Sequence, residues 1–234
     1  MTRVIAIKMG LKTIIFLACL CPCIWIIWSL VNDDFRTYNT LGANPIEAIN
    51  RYLGNWAIRF LLIVLAITPI RKITGWVKIM QFRRMIGLFA FFYVFLHLSS
   101  YVVLDQFFNW QEIWLDITRR NYITVGMVSF VLLLVLAATS TNRMVKKLGG
   151  KCWSQLHKLV YPAGILACLH FYMMRKGFQL EPIIYSAICI TLLIYRILLA
   201  WQKSSMSLVP VRPSSSINNQ RNIKLGRARH NRSH

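Results

Sequence analysis

Six runs of apolar residues, separated by shorter polar stretches, organise the chain of 234 residues. Most of them approach the roughly 20 residues that an α-helix needs to cross a bilayer, and the second, which is shorter, can borrow apolar residues from its flanks. The pattern predicts an all-α, polytopic bundle of six transmembrane helices over residues 1–201, followed by a basic, disordered tail at 202–234. The runs cover residues 11–31, 56–70, 86–104, 121–139, 156–173 and 182–201.

The composition agrees with a membrane protein. Hydrophobic residues make up 56% of the chain and charged residues 15%, with a mean hydropathy of +0.50, which argues against a surface that faces water on all sides. The first run resembles a secretory signal, but it is long and lacks a clear cleavage site, so we expect an uncleaved first helix. The connecting loops are too short for a nucleotide-binding domain.

The charge distribution predicts an orientation. The net charge is +21, and Lys and Arg in the terminal and alternate loops number 19 on one side against 6 on the other. By the positive-inside rule this places both termini in the cytoplasm. Nucleic-acid binding is the competing explanation, but the basic residues lie where membrane insertion and anionic lipid already require them. We therefore expect membrane lipid, and no nucleic acid, as a partner.

Three histidines, His97, His157 and His170, lie inside apolar runs. An imidazole in hydrocarbon is costly unless its nitrogens are satisfied, so such residues are functional candidates. His97 and His170 are predicted to share one depth in the outer half of the bundle, where two neutral imidazoles could form the axial pair of a haem iron. For any single histidine a hydrogen bond between helices is an equal alternative, but the matched depth of two favours ligation.

Zinc is a weaker interpretation. Cys19, Cys21 and Cys23 lie close together in the first run without a nearby histidine. Structural zinc usually requires four closely spaced ligands, so these thiols are better explained as small packing residues.

Several motifs together resemble the MsrQ family, also called YedZ, the haem-carrying membrane subunit of a periplasmic methionine sulfoxide reductase system within the ferric-reductase-like transmembrane superfamily. The likeness covers about residues 35–200, and the order and spacing of the motifs carry it. The motifs are Leu41-Gly42-Ala43-Asn44-Pro45 with Glu47 and Ile49, Ile67-Thr68-Pro69, Arg83-Arg84 with Gly87-Leu88, Leu96-His97-Leu98-Ser99-Ser100-Tyr101, Ala138-Thr139-Ser140-Thr141, Leu148-Gly149, Trp153, Leu156-His157-Lys158-Leu159-Val160-Tyr161, and His170.

This resemblance implies a b-type haem held by His97, His157 and His170. It also implies electrons that arrive from the quinone pool or a cytoplasmic flavin reductase. They would be delivered to a periplasmic molybdopterin subunit, similar to MsrP, that reduces methionine sulfoxide in oxidised envelope proteins. The chain would then be the electron-transfer subunit of an oxidoreductase complex, with the sulfoxide chemistry on its partner.

The sequence departs from the wider superfamily at one point. That superfamily commonly places two histidines on each of two helices, whereas the third run here supplies only His97, and Arg83 and Arg84 lie at the level opposite His157. One hypothesis is a single His97/His170 haem, with His157 and the arginines binding haem propionates, a quinone head or the phosphate of FMN. Another is a second haem with His157 as one ligand. Positive-inside anchoring is the simplest explanation of at least one of the two arginines.

Two other function classes stay open. A stand-alone ferric or oxygen reductase would need a flavin and nicotinamide domain, either its own or a separate one, and we find none in this chain. A secondary transporter would also carry ionisable groups inside the membrane, but the sequence shows no internal repeats of the kind that transporters use.

Overall fold

The computed structural model describes residues 2–32, 44–175 and 179–207 of the chain, with side chains for 9–32, 44–175 and 179–202. These residues form helices and turns without any strand, as predicted for an all-α protein. The tail predicted from residue 202 lies outside the described residues from 208 onward. The helices are α1 (Thr2–Asn32), α2 (Pro45–Thr74), α3 (Arg83–Ser100), α4 (Trp110–Arg119), α5 (Asn121–Ala138), α6 (Asn142–Leu148), α7 (Gly150–Leu156), α8 (Val160–Met174) and α9 (Leu180–Ser207).

Within the described part of the chain, five helical segments are long and apolar enough to cross a membrane. They correspond to five of the six predicted runs, and α2 extends the short second run to 30 residues by including its flanks. The chain is therefore a multi-pass membrane protein. The five segments are Met9–Asn32, Pro45–Thr74, Val77–Asp105, Asn121–Ala138 and Leu180–Gln202.

The predicted run at residues 156–173 is not one regular helix. It begins at the end of α7, passes through a 3-10 turn at His157–Leu159, and continues as α8, which has 15 residues. Pro162 explains the break, because its ring lacks an N–H for the Lys158 carbonyl and crowds the preceding turn. α8 alone is shorter than a membrane crossing requires, and α7, the turn and α8 together span residues 150–174.

The bundle is built on two pairs of contacting helices, α2 with α3 and α5 with α8. Leu65, Tyr93 and Ala163 are fully buried between them, and the Ser129 hydroxyl of α5 donates to the Ala163 carbonyl of α8 at 3.0 Å. Small residues permit such close packing of membrane helices. The pairing brings the α3 and α8 histidines toward one another, as described below.

Two prolines interrupt the backbone hydrogen bonds of their helices, and polar side chains pair with the backbone groups there. At Pro22 of α1, the Tyr93 hydroxyl inserts into the backbone ladder, accepting from the Cys23 N–H at 3.0 Å and donating to the Cys19 carbonyl at 2.8 Å. At Pro69 of α2 the missing N–H leaves the Leu65 carbonyl without its helical donor. Such a group must be satisfied within a membrane.

Arg196 of α9 supplies the missing donor in α2. Its Nη2 lies 2.8 Å from the Leu65 carbonyl and 3.1 Å from the Thr68 hydroxyl, and its Nη1 donates to the Tyr161 hydroxyl at 2.9 Å. An arginine inside an apolar helix therefore ties α9 to α2 and α8. Neither this arginine nor Arg59, which donates to the Tyr185 hydroxyl at 2.8 Å, was singled out from the sequence.

Short helices in the connections were not predicted either. α4 lies between the third and fourth long segments and is capped by the Asn109 side chain, which accepts from the Glu112 N–H. Trp110 and Trp114 of α4 are exposed, whereas Asp116 is buried. The end of the bundle that carries α4 is called the α4 end below, since the candidate site opens toward it.

Candidate functional site

The rings of His97 and His170 face each other across the bundle. Their centroids are 6.3 Å apart and their planes are inclined by 73°. His97 is on α3 and His170 on α8, the two helices whose histidines the sequence places at one depth. The structure thus brings this pair together.

Each of these histidines is oriented by a backbone carbonyl of a neighbouring helix. Nδ1 of His97 lies 2.9 Å from the Asn50 carbonyl of α2, and Nδ1 of His170 lies 2.7 Å from the Tyr122 carbonyl of α5. A carbonyl only accepts, so both Nδ1 atoms carry the proton and both Nε2 atoms keep a free lone pair. This arrangement is typical of metal-binding histidines, whose second nitrogen is fixed by an outer hydrogen bond.

A glycine one turn beyond each carbonyl makes room for the ring. A Cβ at Gly54 would lie 3.2 Å from Cε1 and Nδ1 of His97, and a Cβ at Gly126 would lie 2.8 Å from Nδ1 of His170. The second distance is one that real side chains essentially never show. The same local design, a carbonyl and then a glycine four residues later, therefore holds both imidazoles.

The two rings border a cavity of about 410 Å³, within the size range of ligand and cofactor pockets. Part of its wall is apolar and includes Leu61, Val94, Phe130 and Leu133. Charged side chains also line it, mostly close to the α4 end. They are Glu47, Arg51, Asp105, Arg120 and Arg175.

His157 lies outside this cavity and has partners for both nitrogens. Nδ1 is 3.1 Å from the Trp153 carbonyl, Nε2 is 3.3 Å from the Ser140 hydroxyl, and the ring stacks on Trp153 with centroids 3.9 Å apart. Arg83 is half-buried and close enough to His157 for their charges to interact. Arg84 is exposed. The sequence-predicted site residues are therefore divided between two places.

Sequence reasoning missed the residues that position the rings. Asn50 and Tyr122 act through their carbonyls, which any residue has, and Gly54 and Gly126 carry no side chain. A signal existed in the glycines, because a glycine inside a helix costs about 1 kcal/mol relative to alanine and so indicates a packing or functional reason. The histidine that each glycine contacts can be identified only when the neighbouring helices are known.

The geometry fits a metal held between the two imidazoles. Metal–nitrogen bonds of about 2 Å on opposite sides of one ion, with the radius of each ring added, place the centroids roughly 6 Å apart. In the part of the chain that the structure describes, no group of three His, Cys, Asp or Glu side chains could hold a metal ion. Two protein ligands are too few for structural zinc. They suit an ion whose remaining ligands come from a planar macrocycle.

Comparison with known proteins defines the class and then the family. Residues 53–168 match the family model described as ferric reductase like transmembrane component. A "Protein-methionine-sulfoxide reductase heme-binding subunit MsrQ" from Rhodospirillum rubrum is 50% identical over 196 residues, which cover 84% of this chain and 91% of that protein. The protein of the same name from Caulobacter vibrioides is 45% identical over 185 residues, covering 79% and 85%. The chain belongs to the MsrQ family, as its motifs indicated.

A further relative is longer. The magnetosome protein MamZ from Magnetospirillum gryphiswaldense is 42% identical over 189 residues, which cover 81% of this chain but 29% of that protein. A region similar in sequence to this chain is therefore part of a longer protein.

Proposed function

We propose that this chain is a membrane cytochrome subunit that holds a b-type haem between Nε2 of His97 and Nε2 of His170. The observation that carries the proposal is the facing pair itself, with ring centroids 6.3 Å apart and both Nδ1 atoms committed to carbonyls. The relatives' names, which describe heme-binding subunits, support it. When bound, the haem supplies a one-electron redox centre.

The protein's own residues would hold this centre in place. The Asn50 and Tyr122 carbonyls fix the tautomer of both imidazoles and increase the basicity of Nε2. Gly54 and Gly126 set how far each ring can move. The apolar wall of the cavity excludes water from the macrocycle, and axial ligation together with this environment is what a protein uses to tune a haem potential.

The function that we propose is electron transfer across the bacterial inner membrane to a periplasmic methionine sulfoxide reductase. Both termini would be cytoplasmic, as the distribution of basic residues indicates, and the α4 end would then face the periplasm. The acceptor would be a molybdopterin subunit similar to MsrP, on which methionine sulfoxide of damaged envelope proteins is reduced. The donor would be quinol from the membrane or a cytoplasmic flavin reductase.

A second site near His157 belongs to this proposal. Arg83 lies within electrostatic reach of both His157 and Arg196. Among the described residues, none of these three has an ion pair with a carboxylate. We infer that the two arginines, together with His157, hold an anionic or polar part of a cofactor, such as a quinone head or the phosphate of FMN. A second haem with His157 as a ligand is the alternative. Arg84, being exposed, would serve positive-inside anchoring.

Reconstitution tests the proposed electron path. Purified protein in lipid vesicles should pass electrons from a quinol to the added periplasmic subunit, so that methionine sulfoxide is consumed. Replacing quinol with a flavin reductase and its nicotinamide substrate then compares the two donors. A His170→Ala variant in the same vesicles serves as the control and should be inactive. Sulfoxide turnover that does not depend on this chain would contradict the role.

The same preparation separates the competing functions. A stand-alone reductase would be oxidised rapidly by ferric citrate or oxygen without the partner, whereas the proposed subunit should be oxidised chiefly when partner and methionine sulfoxide are both present. A transporter would show solute-dependent flux and no reducible haem bands.

A further inference from the structure

Three arginines from three separate parts of the chain line the same cavity as the facing histidines. Arg51 belongs to α2, Arg120 connects α4 to α5, and Arg175 directly follows α8. In the charge count above they are three of the six Lys and Arg residues on the less basic side. The arginines singled out from the sequence, Arg83 and Arg84, are absent from the residues lining this cavity.

Each of these arginines is held by a carboxylate. Arg51 pairs with Glu47 of the same helix, Arg120 Nε lies 3.0 Å from an Asp116 oxygen, and Arg175 Nη2 lies 3.3 Å from a Glu181 oxygen. These three are the ion pairs found in the described residues, so all of them border one cavity.

The guanidinium groups are oriented beyond these pairs. Arg120 donates to the Tyr122 hydroxyl at 3.4 Å, and Asp116 accepts a hydrogen bond of 2.7 Å from Tyr101. The hydrogen bond to Tyr122 and the neighbouring Asp116 carboxylate raise the pKa of Arg120 above its ordinary value. Arg175 lies over the ring of Phe171 at 5.4 Å, and its side chain is only 11% exposed.

The ion pairs leave most of the donors unused. A guanidinium has five N–H groups, and the hydrogen bonds and ion pairs within the described residues engage one in Arg51, two in Arg120 and one in Arg175. The remaining charged residues of the cavity wall are Glu47, already bound by Arg51, and Asp105. An oriented guanidinium with free N–H groups is suited to a bidentate bond with a carboxylate.

From this arrangement we infer that Arg51, Arg120 and Arg175 bind the two propionate carboxylates of the haem. The inference rests on the proposed haem site and adds the orientation of the haem within it. The apolar macrocycle would lie between the histidines against the apolar wall, and its carboxylate edge would point to the α4 end. Asp116 and Glu181 hold the guanidinium groups of Arg120 and Arg175 in position for it.

The test compares haem with its dimethyl ester, in which both carboxylates are esterified and uncharged. Apoprotein in detergent is titrated with each ligand, and binding is followed by the Soret absorbance. Arg51→Gln, Arg120→Gln and Arg175→Gln should each weaken haem binding about tenfold, because each removes charge-assisted hydrogen bonds, and should leave ester binding unchanged. Arg84→Gln is the matched control and should bind both ligands like wild type.

The ester also reports on folding. A variant that loses affinity for haem and ester alike would show that its arginine supports the structure, and that would overturn the inference. Equal haem affinity in wild type and all three variants would overturn it as well. If wild-type protein binds neither ligand, the proposed haem site itself fails. Loss of both ligands in His97→Ala, with selective loss of the free acid in the arginine variants, is the expected pattern.

Discussion

The glycine beside His170 offers a sharp perturbation of the site. In Gly126→Ala the new Cβ would stand 2.8 Å from Nδ1, 3.0 Å from Cε1 and 3.3 Å from Cγ of the imidazole. To restore ordinary contact at 3.4 Å the ring must move by about 0.6 Å, and it is restrained by the 2.7 Å hydrogen bond to the Tyr122 carbonyl. The substitution therefore displaces the His170 ring and leaves its chemistry unchanged.

The magnitude follows from opposing effects. Forcing extra volume into a packed site typically costs about 1–3 kcal/mol, and weakening the Nδ1 hydrogen bond adds roughly 1 kcal/mol. Alanine in place of a helical glycine returns about 1 kcal/mol to the helix. This gain stabilises the backbone of α5 but does not return the His170 ring to its original position. The net cost is roughly 1–3 kcal/mol and falls on the position of the ring, so we expect a folded protein with haem affinity lowered about tenfold to a hundredfold.

Gly54 and Gly87 complete the series. Gly54→Ala would bring a Cβ to 3.2 Å from His97, a displacement of only about 0.2 Å, whereas Gly87→Ala would meet just Val64 at 3.9 Å. Haem content after purification, the Soret position and the midpoint potential should change most in Gly126→Ala, less in Gly54→Ala, and not in Gly87→Ala. Replacing a glycine that has only a structural role would not change the midpoint potential of the haem.

One pattern of results would refute this reasoning. If Gly126→Ala retained wild-type haem content, spectrum and potential, the glycine would not set the position of His170. Equal losses in all three variants would point to a general effect of alanine on the bundle.

Three further predictions address the rest of the molecule. Tyr93→Phe removes the hydroxyl that satisfies two backbone groups of α1, so the free energy of unfolding should fall by about 1–3 kcal/mol, which steric-trap unfolding would detect, and an unchanged stability would contradict it. Arg196→Leu leaves the Leu65 carbonyl without a donor and should lower the free energy of unfolding by a similar amount. A thermal-shift comparison with a variant of the exposed Arg84, Arg84→Leu, checks this. Equal melting temperatures would argue against the contact of Arg196 with α2. His157→Ala should keep the haem signal of the facing histidines, and its complete loss in visible spectra would refute the division into two sites.

Much of the fold follows from hydrophobic pattern alone. Runs of apolar residues near the length of a bilayer indicated an all-α membrane bundle, and five of them are single long helical segments. The run at residues 156–173 differs because Pro162 removes one helical donor, an effect of local chemistry on an otherwise suitable pattern. α4 was not predicted because an amphipathic helix in a loop has too few consecutive apolar residues to be recognised as an apolar run.

The two histidines that border the cavity were predictable from the sequence. His97 and His170 stood out because imidazole is costly in hydrocarbon, and counting along antiparallel helices placed them at one depth. Counting could not reveal that each ring is fixed by a carbonyl and a glycine, since these depend on which helices are neighbours. Counting also gave no reason to single out Arg120 and Arg175, because both look like loop charges until the cavity is described.

The central claim is that His97 and His170 are the two axial ligands of one haem. Electron paramagnetic resonance and reduced-minus-oxidised visible spectra of wild-type protein, His97→Ala and His170→Ala, purified in parallel, test it most directly. We predict a low-spin, reducible b-type haem in wild type whose signal is lost in both variants. A wild-type protein without such a haem, or a full low-spin signal in either variant, would contradict the claim.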